Sequence, residues 1–197
     1  MDWLTVAATG FGSAWLSGIN LYATVMTLGL LQRFGLARLP GDLAFLSEGW
    51  FIGLAGVLYV IEFVADKVPA VDTVWDAVHT FIRVPAGAIL ATAAFADFDG
   101  PVRIVALLLG GGLALGAHGG KAATRVAVNT TVPGAGMVVS VAEDVTAFVS
   151  TVLMVFFPLL FLGLLVLAVA MTAQLMPKIV RAMSAMLRVL RGRRSPT

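Results

Sequence analysis

An all-α, polytopic transmembrane helical bundle of about five spans, with broken or kinked helices, is predicted for this 197-residue chain by three observations. The composition is 59% hydrophobic and 12% charged, about half the ~25% charge of soluble domains. Several apolar runs reach or exceed the ~20 residues that a helix needs to cross a bilayer. The ionisable residues that hydrocarbon rejects are gathered into ordered stripes instead of being scattered. Cysteine is absent, so disulfides, thiolate metal ligands and a cysteine nucleophile are excluded. The start M-D-W-L-T lacks the basic region of a secretory signal, and the first run is read as a retained span.

Residues 3–31 form that first run. Gly10, Gly12, Ser13, Ser17, Gly18 and Asn20 crowd it, which favours close helix packing over the alternative of a break lined by protein. Residues 32–43 carry Arg33, Arg38 and a Pro-Gly turn signal, and a second span covers 44–65. Pro69 ends that helix and suits the first turn of a third, running to about residue 98 and bent at Pro85. Asp97, Asp99, Gly100 and Pro101 make a turn before the fourth span, 102–127. The last run, 137–176, would be about 60 Å long as one helix. A hairpin inside V-F-F-P-L-L-F-L-G has no polar turn residues, so a single helix kinked at Pro158 is the expectation.

This divides the chain into a transmembrane domain, 1–176, and a basic amphipathic tail, 177–197. With five spans Arg33, Arg38, Arg103 and the six bases of the tail fall on one side, the cytoplasm, and the amino terminus outside. The expected location is therefore a multi-pass cell-membrane protein. Its tail lies on anionic lipid headgroups, and no nucleic-acid partner is expected.

Three polar clusters share one depth in this topology, near the outer face. The first is Glu62, Asp66 and Lys67, followed by Asp72, Asp76, His79 and Arg83 at i, i+4, i+7 and i+11, one face of a helix. The second is His118, Lys121, Arg125 and Asn129, again on one face, and the third is Glu143 and Asp144. Each charge inside a bilayer costs about 2.5–3.5 kcal/mol on insertion scales, so these residues define a candidate ion-binding, substrate-binding or proton-coupling site. The acids outnumber the bases Lys67, Arg83, Lys121 and Arg125. Spare carboxylates are expected among Asp72, Asp76 and Glu143. The competing structural reading is that acids and bases pair to pin helices together. A weak internal echo, G-I-N at 18–20 and G-A-H at 116–118, agrees with the repeats of many secondary transporters.

The string E-F-V-A-D-K-V-P-A-V-D-T-V-W-D-A-V-H-T-F-I-R (residues 62–83), with S-G-I-N-L-Y-A-T before it and A-H-G-G-K-A-A-T-R-V-A-V-N-T and A-E-D-V after it, resembles a family of small bacterial and plant membrane proteins. That family is known only as a domain of unknown function. The resemblance covers nearly the whole chain except the tail and implies an integral membrane protein in which these residues matter. It supplies no reaction, cofactor or substrate.

Three functions compete. The first is a small transporter or channel for a small ion or anionic substrate, with His79 and His118 able to titrate near neutrality. The second is a non-catalytic scaffold or accessory subunit. The least favoured is an enzyme using Asp66, Asp72, Asp76 and His79 to hold a divalent metal over a lipid phosphate. A homodimer could complete the charged surface.

Overall fold

A computed structural model describes residues 2–67, 69–132 and 135–192, with the backbone alone given for 69–74, 76, 129–131, 180, 182, 183 and 185–192. The side chains of Asp72, Asp76 and Asn129, and of Arg188, Arg191, Arg193 and Arg194 in the tail, lie outside the described residues. The described residues form helices and no strand.

Helix α1 (Trp3–Arg33) opens on Asp2, whose Oδ1 accepts the Thr5 amide at 2.7 Å. That bond holds the exposed Asp2 carboxyl below the usual carboxylate range. At Asn20 the helix breaks, with φ −147° and ψ 99°. Asn20 Oδ1 accepts the Ala23 amide at 2.9 Å, so the residue that ends the first arm caps the second. The contacts of the two arms run in opposite senses along α3 (Pro69–Ala94). Gly10 packs on Ala94 and Phe95, and Ser17 reaches the Arg83 carbonyl. Beyond the break Tyr22 meets His79, Val25 shares a groove with Ile89 and Leu90, and Gly29 abuts Leu46. Gly41, which opens the 3₁₀ segment Gly41–Ser47, is back against Ala94. Helix α1 is therefore a re-entrant hairpin with its apex at residues 18–20. Close packing and a break are both present. A Cβ on Gly18 would fall 2.7 Å from Ala117 Cβ, and the break follows two residues later.

The expected second span is two pieces, the 3₁₀ segment and α2 (Gly49–Ala65), bent by 73°. Helix α3 continues through Pro85, as expected, and ends at Ala94. Helix α4 (Gly100–Thr131), with Pro101 in its first turn, runs antiparallel to α3: Gly110 lies on Ala91, Gly87 on Ala114, and His118 meets Thr80 and Arg83.

The last apolar run departs from expectation. It forms two helices, α5 (Gly136–Phe156) and α6 (Pro158–Gly192), separated by Phe157 at φ −133° and ψ 62°. Pro158 has no N–H for the Met154 carbonyl, so α5 ends there. The turn needs a single non-helical residue, which is why it requires no polar loop. The arms diverge as a V. Val139, Glu143 and Thr146 of α5 face Thr172, Met176 and Ile179 of α6 across an open cavity of about 350 Å³, also lined by Trp15, Ile19 and α4.

Among the described residues five helices are long and apolar enough to cross a membrane, six with the bent pair taken as one span. Their outward residues, such as Ile104, Leu108, Val149 and Val166, are exposed and apolar, as a lipid-facing surface requires. Helices α2, α4 and α6 run one way, α3 and α5 the other, and α1 enters and returns. One expectation is overturned by this. The clusters were placed at the opposite end from the tail, but the cavity sets residues 172–179 beside Lys121 and Glu143. Arg33 and Arg103, at the end of α1 and the start of α4, lie at the other end. The difference follows from α1 turning back at Asn20 and from the chain reversing at Phe157 between α5 and α6.

Candidate functional site

The apex of α1 meets α2, α3, α4 and α5 in a buried charge network. Arg83, fully buried, lies about 16 Å along α3 from Ala94. Its Nη2 donates to Glu62 Oε1, while Nη1 sits 3.0 Å from His118 Nδ1 and 3.5 Å from the Gly18 carbonyl. Lys121 Nζ donates to the Ile19 carbonyl at 3.1 Å, with Glu143 Oε2 at 3.4 Å and Glu62 and Asp66 each at 3.8 Å. Arg125 Nη2 donates to Asp66 Oδ2 at 2.7 Å and to Glu143 Oε2 at 2.5 Å. Ser140 Oγ, one turn before Asp144, adds a bond to Asp66 Oδ2 at 3.3 Å.

The geometry follows from the break. The last carbonyls of a helix have no intrahelical N–H, and its C-terminal end carries partial negative charge. Gly18 and Ile19 present those carbonyls inside the bundle, and Arg83 and Lys121 take them. The cations therefore serve carboxylates and the broken helix together. Asn20 completes the apex by donating from Nδ2 to Asp144 Oδ1 at 2.8 Å.

The two histidines present Nδ1 in opposite roles. His79 Nδ1 is 2.8 Å from the Trp75 carbonyl, which can only accept, so Nδ1 carries a proton. Its Nε2 faces the Tyr22 hydroxyl at 3.0 Å, and the ring stacks on Trp75 with centroids 4.4 Å apart. His118 Nδ1 faces Arg83, which can only donate, so this nitrogen accepts and the proton sits on Nε2, 2.8 Å from Thr80 Oγ1.

The structure brings Glu62, Asp66, Arg83, His118, Lys121, Arg125, Glu143 and Asp144 together around the apex, and sets His79 beside them against Tyr22 and Trp75. Two expectations change. Lys67 stands apart from the ion pairs, donating to the Phe63 carbonyl at 3.0 Å with its Nζ 3.3 Å over the Phe63 ring. Glu143, expected as a spare carboxylate, is closed off by Arg125 and Lys121. Within the network, and among the described residues, Asp144 is the carboxylate with no cation within 4.0 Å, and its Oδ2 has no hydrogen-bond partner there. Asp72, Asp76 and Asn129 belong to the stripes by sequence only. Among the described residues no three of His, Cys, Asp and Glu stand together in the manner of metal ligands. Sequence reasoning missed Asn20, Tyr22 and Thr80 as site residues. The signal available was a lone Asn in an apolar run, two residues before a Tyr.

Broken helix, buried charges and adjoining cavity define a polytopic membrane protein with a polar site inside its bundle. Residues 7–178 match the domain of unknown function DUF4126, and the chain belongs to that family. Comparison with curated proteins and with solved structures gave no match.

Proposed function

We propose that this protein is a small transporter whose substrate occupies the cavity between α1, α4, α5 and α6, with Lys121 and Glu143 at its polar end. The observation that carries this reading is the break at Asn20. Discontinuous helices whose freed ends meet charged groups within a bundle are how secondary transporters bind polar cargo in a membrane. The cavity, about 350 Å³, has the volume of a small-molecule site. Lys121 suits it to a small anionic substrate. The basic tail is assigned to the cytoplasm, over anionic headgroups, by the excess of bases after residue 177. The site then opens toward the cytoplasmic half, and the amino terminus lies outside.

The test is swelling of proteoliposomes in iso-osmotic potassium chloride, phosphate and acetate, with valinomycin and a protonophore carrying the compensating cation flux, followed by light scattering. Protein-dependent swelling in at least one salt, lost in Lys121→Gln, is the expected result. Rates equal to protein-free vesicles in all three would refute transport of these anions. The scaffold reading would then lead, favoured by the pairing of Arg83 with Glu62 and of Arg125 with Asp66.

A further inference from the structure

Asp144 is held differently from the other carboxylates of the network. Glu62, Asp66 and Glu143 each have a cation within 4.0 Å, whereas Asp144, 5% exposed, has among the described residues only the neutral Asn20 amide on Oδ1. Its Oδ2 is buried with no partner among the described residues. The ionisable groups that act on it across space are Asp66 and Lys67 at the end of α2, the Tyr59 phenol on α2, and Lys121 on α4. One of them is a like charge, and neither lysine reaches it. Asp66 Oδ1 is likewise buried and unpartnered there.

We infer that Asp144 is the proton-binding carboxyl of this site. A buried carboxylate without a paired charge is strongly unfavourable. Adding one proton from water at Oδ2 makes a neutral acid, turns that oxygen into a donor, and leaves Oδ1 to accept the Asn20 amide. Nothing is oxidised, and unloading returns the same proton to water. A metal cation is a poorer occupant. Hard cations such as calcium take about six to eight oxygen ligands, and the described residues offer no cluster of three candidate ligands.

The location gives the proton a consequence. The Asn20–Asp144 bond fixes the apex of α1, and a hydrogen bond to an ionised acceptor is roughly twice as strong as a neutral one. Loading Asp144 therefore loosens the grip of α5 on the apex, and unloading tightens it. Proton occupancy is thereby tied to the position of the broken helix that lines the cavity. The use of the proton for transport rests on the function proposed above; its presence on Asp144 does not.

Infrared difference spectroscopy of the full-length protein in lipid, titrated through neutral pH, tests the site directly. A protonated-carboxyl carbonyl band is expected that shifts in D₂O, disappears in Asp144→Asn and persists in Asp66→Asn. Absence of the band, or its survival in Asp144→Asn, overturns the inference. Wild-type protein supplies a second measurement that needs no variant. A hydrophobic carbodiimide, which modifies only protonated acids, should label the peptide carrying Asp144, with labelling that falls as pH rises. Labelling confined to Glu62, Asp66 or Glu143, or suppressed equally by sodium at constant pH, also overturns it. A band on Asp144 in a protein that swells no vesicles would retain the proton site and discard the transporter.

Discussion

His79 and His118 lie about one turn apart in depth, and each offers Nδ1 to a partner with only one hydrogen-bonding capacity. The carbonyl of Trp75 requires a donor and the guanidinium of Arg83 an acceptor. Nitrogen-15 NMR of the protein in lipid should therefore show His79 protonated at Nδ1 and His118 at Nε2 near neutral pH. Identical tautomers for the two rings would contradict the side-chain arrangement. At this scale much of the site was legible in the chain. His79 and Arg83, and His118, Lys121 and Arg125, were placed on interior faces by a spacing of three and four, and that period is a local property of helices. The partners were not legible. Tyr22 lies 57 residues from His79 and Asn20 lies 124 from Asp144, and no periodicity links residues on different helices. The fate of Glu143 was misjudged for the same reason. Counting acids and bases shows that two carboxylates are left over, but which ones depends on which cation reaches each.

At the scale of the element, the break in α1 rests on Asn20 and on the thinness of Gly18. Asn20→Ala removes a helix cap, a loss of about 0.5–2 kcal/mol, and also the donor to Asp144 Oδ1. A lowered thermal transition in detergent is expected, while Asn20→Ser, which keeps a capping oxygen, should recover part of it. Gly18→Leu should be more damaging, because a side chain there meets the Ala114 carbonyl and the His118 nitrogen. Equal stability of wild type, Asn20→Ala and Gly18→Leu would remove the apex from the account. The break and the α5–α6 turn explain why these elements were harder to read than α3 or α4. A helix breaks or reverses by changing the dihedrals of one residue, Asn20 or Phe157, and such a change leaves almost no mark on composition. Pro158 announces a lost hydrogen bond whether the chain bends or turns. The decision is made by Gly12, against whose bare surface Met154 and Phe161 both pack, and that contact is tertiary.

For the whole molecule, a re-entrant α1 fixes which loops share a side. Because the chain contains no cysteine, single cysteines can be introduced without background. Impermeant labelling should reach positions 35 and 99 from the same side as the amino terminus, and position 184 from the other. A straight, crossing α1 would put position 35 opposite the amino terminus, and that result would refute the hairpin. The placement of α1 also bears on how the protein is made. It is the most enclosed of the candidate spans, with 78% of its apolar window buried. Its apex is satisfied by Arg83, Lys121 and Asp144, all of which leave the ribosome later. Helix α1 therefore has no finished place to occupy until α5 has been delivered to the bilayer. On this geometry α1 docks late, folding back into a ring of helices that follow it in the chain.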